Sequence, residues 1–496
     1  MMAINHTDPN PGRLKRHIGL WALAATGICS MIGASIHVVP FMIQKNVPGI
    51  GPYVLPAFLL AACPALLAAV AYAALATAMP RAGGSYLFAS RGLSPFAGFI
   101  ASFSQWFGLS VAIGVISYII VNFIGDLFTA AGHPQVSDFL SAGFVRPATA
   151  LCILWIFILL NIRGAGAYSN TLVPLMWLMF ILGAIVIVAG LFFGPEDFRE
   201  GLVTREGRIF NPTETVAFSW PVFLSVAAVL FASFIGFDSI AQAGGEAIDP
   251  KRNIPRALAT AIIGVTLFYL LFTASVYHMI PWQFVAAESQ KRDISAPGLL
   301  GYVLPAGWTI LILAGATISL VNDLPGMILS VSRLLYAWAA DGIFPSNIAR
   351  IHTRFGTPYA AILASGGMAS AGILGSHFAG NFFLGIDIMV TAMLVNFMLM
   401  CLTLLTLPVV NREIAASVTL IGPGMTKAIG IIGTIVLAGF LAIHIHKDLI
   451  QSETSAWYFH STWVWLLVMA CGSLIYLVTT IRRPRLLDKF NRLPEH

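Results

Sequence analysis

The sequence predicts an all-α membrane protein of about twelve spans, on three observations. Of its 496 residues, 58% are hydrophobic and only 10% are charged, whereas soluble domains carry about 25% charged residues. Apolar stretches recur from residue 18 to residue 482, so lipid must solvate much of this apolar surface. Glycine and polar residues interrupt the first and the sixth stretch.

Glycine, proline and charged clusters bound the twelve apolar segments. A transmembrane helix needs about 20 residues, and longer segments must tilt, break or extend beyond the lipid. We place the spans at residues 18–44, 52–79, 95–130, 147–163, 170–193, 216–246, 256–280, 305–341, 358–377, 382–410, 425–446 and 460–481.

The connections between the spans are short, so we expect a single transmembrane domain over residues 1–496. Its expected parts are an N-terminal tail, a first repeat, a second repeat, two extra helices and a C-terminal tail. They cover residues 1–17, 18–193, 216–410, 425–481 and 482–496.

The positive charges lie mainly on one side of the predicted membrane. With a cytoplasmic N-terminus, 19 of the 27 Lys and Arg residues fall in cytoplasmic segments, as the positive-inside rule requires. We therefore expect a multi-pass protein of the plasma or inner membrane, surrounded by membrane lipid, with both termini cytoplasmic. This topology accounts for the net charge of +6, so we expect no nucleic-acid partner.

The first span contains the run Gly27–Ser35 (GICSMIGAS), in which two glycines flank small and polar residues. Glycine costs about 1 kcal/mol relative to alanine inside a helix. A lone glycine is compatible with close helix packing. The clustering here, followed by His37 and Pro40, favours a break in the helix.

The sixth span contains the run Phe231–Ser239 (FASFIGFDS), in which Gly236 and Asp238 interrupt an apolar segment. A charged carboxylate at the bilayer centre costs roughly 2.5–3.5 kcal/mol, so Asp238 needs a partner, a proton or water. This run also favours a break.

The two breaks occupy matching positions. The pair Ile32-Gly33 recurs as Ile235-Gly236, 203 positions later. With five spans in each unit, the second copy enters the membrane with inverted orientation. This arrangement is typical of secondary transporters with a site at the membrane midplane.

An interrupted helix exposes backbone groups of opposite polarity. N–H groups near Ile32 and Gly33 suit a substrate carboxylate. C=O groups near Gly27 and Phe234 suit an ammonium group or a cation. The two poles fit an α-amino acid zwitterion, whereas a free amine would use only the carbonyl pole.

Four motifs, in this order along the chain, resemble those of amino acid transporters of the amino acid–polyamine–organocation (APC) superfamily. The likeness covers roughly residues 13–480. The motifs are Gly27–Ser35, Pro80–Tyr86, Phe234–Arg256 and Ser332–Pro345.

The resemblance implies a LeuT-like fold of five plus five inverted spans, with spans 1 and 6 broken and two extra helices. It also implies that the broken backbones recognise the α-amino and α-carboxyl groups of the substrate. The substrate-binding residues implied in this chain are Ser30, Met31, Ile32, Gly33, Phe234, Ile235, Gly236 and Phe237.

Two positions depart from the superfamily pattern. Proton-linked members often carry a lysine in span 5 near span 1, whereas span 5 has no lysine here and the matching position looks like Trp177. Similar arginine–agmatine exchangers carry a gating tryptophan in span 6, where this chain has Ala232 beside Phe231. The first departure questions that coupling device, and the second argues against that subgroup.

Two acids in the middle of spans are candidates for proton coupling or gating. Asp238 follows the break of span 6, and Asp323 lies in span 8 before the Pro325 kink. Intramembrane acids are functional by default. Asp323 is a proton or cation site, a partner for His37, or an acid that only bonds neighbouring helices.

Glu246 and His37 complete the candidates. Glu246 lies nearer the cytoplasm, where it acts in gating or only pairs with Arg252 or Arg256. His37 lies just beyond the first break, and a histidine titrates near neutral pH, although a satisfied core histidine is the commoner outcome.

These features lead to the hypothesis of a secondary active transporter of amino acids or related amines. We favour proton-coupled symport, with sodium as a less expected ion. An obligate exchanger and a non-transporting sensor or scaffold are the alternatives. No nucleophile–base group, metal-ligand spacing or nucleotide motif stands out, so we expect no enzyme activity, no metal and no cofactor.

Overall fold

The computed structural model describes residues 16–211, 215–379, 383–450, 457–484 and 486. Most of the two predicted tails lies outside these residues. The described chain is almost entirely helical, because long apolar segments in lipid must satisfy their backbone groups internally. A single bridge between extended residues within this part of the chain joins Ile18 to Ala247.

The described residues form twenty-one α-helices, which we number in chain order. They are α1 Leu20–Cys29, α2 Ala34–His37, α3 Val39–Asn46, α4 Val54–Ala78, α5 Gly84–Gly92, α6 Pro95–Ala130, α7 Pro134–Ser141, α8 Val145–Ile162, α9 Ala165–Phe192, α10 Pro195–Glu206, α11 Trp220–Leu230, α12 Ser239–Gln242, α13 Pro250–Met279, α14 Trp282–Ser289, α15 Ala296–Leu300, α16 Ala306–Asp341, α17 Tyr359–Ala379, α18 Phe383–Val410, α19 Arg412–Ala416, α20 Pro423–Ile450 and α21 Ser461–Arg482.

Eleven helical segments of the described chain are long and apolar enough to cross a membrane. They are α4, α6, α8, α9, the run from α11 to α12, α13, α16, α17, α18, α20 and α21. The predicted class, an all-α polytopic membrane protein, is therefore confirmed. The first predicted span consists of α1, α2 and α3, each too short to cross alone. The count of twelve and the inverted repeat stay predictions.

The centre of the bundle is formed by α6, which packs against α16, α17 and α18. Small residues let these helices approach closely. A Cβ atom added to Gly114 of α6, for example, would lie 2.5 Å from the carbonyl oxygen of Ala369 in α17. The broken segments α1 and α12 contact each other, and both contact α13 and α16. The two breaks are therefore held inside the bundle.

Short helices cover both ends of the bundle. We call the end at which α1 begins the N-terminal face and the other end the opposite face. The connections of the spanning helices place α5 and α19 at the N-terminal face, and α7, α10, α14 and α15 at the opposite face.

An ionic cluster joins the helices of the opposite face around Glu288, whose side chain is 6% exposed. Nε of Arg292 lies 2.9 Å from Oε1 of Glu288. The guanidinium of Arg208 lies 3.5 Å from Glu288 and 2.7 Å from Glu206. The Tyr302 hydroxyl donates a hydrogen bond to Glu206, and this bond is the main cause that lowers the pKa of the Glu206 carboxyl.

The lowered pKa of Glu206 predicts a pH-dependent contribution to stability. An ionised Glu206 stabilises the folded state above the ordinary carboxyl pKa of about 4.3, and this contribution is lost as the pH falls through the folded-state pKa. We expect Glu206→Gln to lower the melting temperature at pH 7, with a difference from the unmodified protein that shrinks below about pH 4. Thermal unfolding in detergent across this range measures it.

The control is Glu200→Gln, a change at an exposed position of the same helix, α10. It is expected to leave the melting temperature unchanged both at pH 7 and below about pH 4. A destabilisation by Glu206→Gln that stays constant from pH 7 to pH 3 would contradict the role of the ionised carboxylate.

Candidate functional site

The break in the first span is a tight turn between α1 and α2. Met31 and Ile32 both donate backbone N–H groups to the carbonyl oxygen of Ile28, at 3.1 and 2.9 Å. Gly33 donates its N–H group to the carbonyl of Met31 at 3.2 Å. The N–H groups predicted to face a substrate carboxylate are therefore engaged within the turn itself in this structure.

The break in the sixth span is wider. A 3₁₀ turn over Phe231–Phe234 follows α11, and four residues separate it from α12. Gly236 has a φ of 133°, a conformation that residues with a side chain rarely adopt. All eight predicted substrate-binding residues of the two breaks are buried.

The two breaks touch through their backbones at Gly236. A Cβ atom added there would lie 2.2 Å from the carbonyl oxygen of Ser30 and 2.5 Å from its carbonyl carbon. Gly27 makes a looser contact, since its Cβ would lie 2.5 Å from the side-chain atom Cδ1 of Ile240. The backbone contact at Gly236 is the one that only glycine permits.

Tyr269 of α13 connects the two breaks, a role that the sequence pattern does not predict. Its hydroxyl lies within hydrogen-bonding distance of two carbonyl oxygens, those of Met31 in the first break and Ser233 in the second. Its ring packs between Phe58 and Phe234, with centroid distances of 5.4 and 5.7 Å. A tyrosine in an apolar span gives no sequence signal for such a role.

Asp323 of α16 lies beside the first break. A Cβ atom added to Gly33 would lie 2.2 Å from Oδ2 of Asp323, so the absent side chain of Gly33 makes room for this carboxylate. Asp323 is 3% exposed, and its Oδ1 has no hydrogen-bond partner among the described residues. The adjacent Asn322 donates to Sγ of Cys29 at 3.0 Å.

His37 and Asp323, which the sequence offered as partners, form no hydrogen bond with each other among the described residues. Its ring meets the edge of Phe272, with centroids 5.4 Å apart. Its Nδ1 is buried and has no partner in this part of the chain. With Ile32 and Gly183 it lines a cavity of about 10 Å³, space for about one water molecule.

Asp238 belongs to a buried network of neutral polar groups. Its Oδ1 accepts the N–H group of Gly236 at 3.2 Å, and its Oδ2 accepts the side-chain amide of Gln105. The oxygen of that amide accepts from Gln242 at 3.1 Å and from the hydroxyl of Ser85 in α5. The network connects the second break to a short helix of the N-terminal face.

Glu246 forms an ion pair across the bundle. The expected partners were Arg252 or Arg256, but both are exposed on α13. Instead, Nε of Arg333 in α16 lies 2.6 Å from Oε1 of Glu246, and both side chains are 2% exposed. The physical reason is that α16 passes beside this residue, whereas α13 directs its basic residues outward.

Two further sets of contacts join separate segments at the N-terminal face near this ion pair. The N–H group of Ile18 donates to the carbonyl of Glu246 at 3.0 Å, and Ile248 donates back to Ile18 at 3.0 Å. Arg91 of α5 pairs with Asp341 at the end of α16 at 2.9 Å. Asp341 belongs to the last of the four resembling motifs, whereas Arg91 lies outside all of them, and the separation of 250 residues hides the contact in the sequence.

The opposite face contains two adjoining cavities, of about 300 and 400 Å³. Asp126, Asp293, Ile294 and Ser295 line both of them. The second is also lined by Arg292, which is paired with Glu288. The outer ends of α6 and of the connection before α15 thus present two acids to these cavities.

Trp177 does not face the breaks. It is 50% exposed and packs against Trp21, with ring centroids 6.1 Å apart. The residues of α9 that approach the first span near His37 are Met179, Leu182 and Gly183. The match between Trp177 and the lysine position of proton-linked transporters stays a prediction.

Comparison with known proteins gives one family. The profile of the family described as "Amino acid permease" matches residues 18–480. Cationic amino acid transporter 4 of Homo sapiens is 27% identical over 369 residues, which cover 71% of this chain and 54% of that protein. Branched-chain amino acid permease BcaP of Bacillus subtilis (strain 168) is 25% identical over 367 residues, covering 72% of this chain and 74% of that protein.

The Mus musculus cationic amino acid transporter 4 is 28% identical over 371 residues, again covering 71% of this chain and 54% of that protein. The matched region thus spans about half the length of the two cationic amino acid transporters.

The contact at Gly236 predicts that no side chain is tolerated there. Gly236→Ala places a Cβ against the Ser30 carbonyl and imposes a strained φ, and such backbone strain alone costs about 1–3 kcal/mol. We expect the Gly236→Ala variant to have a clearly lower melting temperature in detergent than the unmodified protein. Gly264→Ala in α13 is the control, because no atom lies within 4 Å of its Cβ position. Equal stability of the two variants would show that the breaks are not in contact.

The shared hydroxyl of Tyr269 predicts local loosening when it is removed. Tyr269→Phe leaves two buried carbonyls without this donor, and an unsatisfied buried group costs about 1–3 kcal/mol. We expect faster hydrogen–deuterium exchange in peptides covering residues 28–36 and 231–238. The control, Tyr277→Phe on the same helix, removes a bond to Pro40 and should affect only residues near it. Unchanged exchange at both breaks would refute the bridge.

Proposed function

This chain belongs to the amino acid permease family, and from that premise we propose that it is a secondary active transporter of amino acids or related amines that works by alternating access. The observation that carries the proposal is the contact of two interrupted helices at Gly236 and Ser30. Secondary transporters bind their substrates where broken helices meet inside a bundle. In this structure the N–H groups of the first break are bonded within its turn, so a substrate carboxylate would have to replace those bonds. The proposed site comprises the two breaks, with Ser30–Gly33 and Phe234–Phe237.

Alternating access needs one face to be closed while the other is open. The ion pairs Glu246–Arg333 and Arg91–Asp341 join separate helices at the N-terminal face. The larger cavities at Asp126 and Asp293 lie at the opposite face. These features support a state whose N-terminal face is closed, in which the two ion pairs act as the gate that must part for release.

The same proposal includes an orientation. The excess of Lys and Arg on the N-terminal face supports a cytoplasmic location for this face and for both termini. The opposite face then lies outside the cell, and the protein resides in the plasma or inner membrane in contact with its lipids.

We propose proton-coupled symport as the mode of transport. Four groups were candidates, and their surroundings differ. Glu246 is neutralised by Arg333, and Asp238 is satisfied by Gly236 and Gln105. His37 and Asp323 each keep one unpartnered buried atom within the described chain. A sodium ion is the less favoured driver, because the hydroxyls of Thr317 and Ser319 donate to carbonyls of their own helix.

Uptake into proteoliposomes tests the proposal. The purified protein is reconstituted and offered labelled amino acids and their decarboxylated amines, with and without an imposed proton gradient, acidic outside. We expect uptake of at least one substrate into vesicles without internal substrate, increased several-fold by the gradient and abolished by a protonophore. Protein-free vesicles and the Gly236→Ala variant are the controls.

The alternatives give different results in the same assay. An obligate exchanger would take up label only when the vesicles contain substrate, whatever the gradient. A sensor or scaffold would bind a substrate in a thermal-shift screen and transport none. Either result would overturn symport, and the absence of both binding and transport would overturn the amino acid or amine assignment.

A further inference from the structure

The middle of the bundle contains a buried acid that its surroundings leave without a full set of partners. Asp323 is 3% exposed, and among the described residues its Oδ1 has no hydrogen-bond partner and no Lys or Arg pairs with it. A buried carboxylate is stable only when it is protonated, paired or bonded by donors. Every other acid discussed above as buried has such partners, as Asp238 and Glu246 illustrate.

This carboxylate lies where the carboxylate of an amino acid was predicted to bind. Oδ2 of Asp323 fills the space beside the Cα atom of Gly33, where a Cβ would approach within 2.2 Å. The N–H groups of Ile32 and Gly33 already donate to Ile28 and Met31. A substrate carboxylate would therefore meet few free donors there and a second carboxyl group, and two carboxylates that share one buried site disfavour each other's ionisation.

The other groups at this place are acceptors. The carbonyl oxygens of Met31 and Ser233 converge on the Tyr269 hydroxyl, a donor that an incoming N–H group can replace. The buried hydroxyl of Ser30 has no partner among the described residues and faces α16, where it would lie 2.2 Å from a Cβ on Gly326. A carboxylate, two carbonyls and a hydroxyl match an ammonium group, which has three donors and a positive charge.

One acid of the cavities at the opposite face has no ion pair among the described residues. Asp126 lines both cavities. Asp293, which also lines both, lies 3.8 Å from Lys45, and Arg292 lies 2.9 Å from Glu288. A carboxylate in a cleft attracts the opposite charge, so Asp126 favours the approach of cations.

We propose that Asp323 is a specificity-determining residue that stands in for the missing carboxylate of the substrate and binds its ammonium group, so that the transporter prefers primary amines without a free α-carboxylate over the parent amino acids. This inference rests on the proposed transport function and narrows its substrate class. It assigns Gly33 a second role, which is to leave room for the carboxylate beside the break.

Paired substrates test the inference. Each pair consists of an amino acid and its decarboxylated amine: phenylalanine and phenethylamine, leucine and isoamylamine, arginine and agmatine. We expect the amine of at least one pair to be taken up with a KM about tenfold or more below that of its amino acid. Asp323→Asn should raise the KM for that amine about tenfold or more and narrow or reverse the preference, with a smaller change in kcat.

A second variant keeps the charge and moves it. Gly33→Ala pushes the Asp323 carboxylate away from the break, and we expect it to weaken amine uptake in the same direction as Asp323→Asn. Gly264→Ala, which has open space around its Cβ position, should leave the KM values unchanged. If Asp323→Asn does not fold, as judged by its melting profile in detergent, the Gly33→Ala variant decides.

The outcomes separate this inference from the proposed function. Uptake of amino acids in preference to their amines in every pair would overturn the inference and leave the transporter assignment standing. Uptake of neither class would overturn both. An amine preference that Asp323→Asn and Gly33→Ala leave unchanged, or a loss of pH dependence in Asp323→Asn without any change in preference, would remove Asp323 from substrate selection.

Discussion

The direct contact between the two interrupted helices is the constraint on which the centre of this molecule depends. At Gly236 the backbone of the sixth span lies against the carbonyl of Ser30, with no room for a side chain between them. Each break frees backbone groups that lipid cannot satisfy. The protein satisfies part of them within the turns and part of them through one neighbouring hydroxyl, that of Tyr269. The helices around the breaks, chiefly α13 and α16, therefore supply packing and polar partners together.

The buried charged groups at the N-terminal face also need partners, and they obtain them by forming ion pairs. Ionised side chains in a low-dielectric interior need partners of opposite charge. Glu246 and Arg333 meet this need between α16 and the segment that follows α12, and Arg91 and Asp341 meet it between α5 and α16. Both pairs join helices that are far apart in the chain, so α16 is held to the broken sixth span and to α5 at one end. In the proposed alternating-access cycle such pairs would act as reversible locks, because each would exchange its partner for water when the face opens.

Local chemistry made part of this structure predictable. The membrane-spanning class and the two interrupted segments follow from apolar length and from glycine beside polar residues at Gly27–Ser35 and Phe231–Ser239. What failed was the prediction of partners. Glu246 was matched with Arg252 and Arg256 because they are close in sequence, but a helix that starts at Pro250 turns them outward, and Arg333 reaches Glu246 from a different helix.

The roles of Tyr269 and Asp323 at the breaks needed three-dimensional information for a related reason. Tyr269 has no local signal, because a tyrosine on an apolar helix usually serves packing. Asp323 was recognisable as a buried acid, but its position beside Gly33 depends on how α16 crosses the first break, 290 residues away in sequence. Sequence reasoning identifies groups that need a partner, and the helix packing decides which partner they obtain.

The two acids in the middle of the bundle, Asp238 and Asp323, differ in the hydrogen-bond partners that the helix packing gives them. Asp238 accepts from a backbone N–H group of its own break and from the amide of Gln105, so its carboxylate stabilises the bent backbone of the sixth span. The carboxyl group of Asp323 is less well satisfied, because its Oδ1 atom has no hydrogen-bond donor within the described chain. A fully bonded acid contributes to the fold, whereas an acid with an unused oxygen, near carbonyls that share the one hydroxyl of Tyr269, retains capacity for a ligand. At the proposed site, that unmet need would give Asp323, more than Asp238, an influence on which ligand binds.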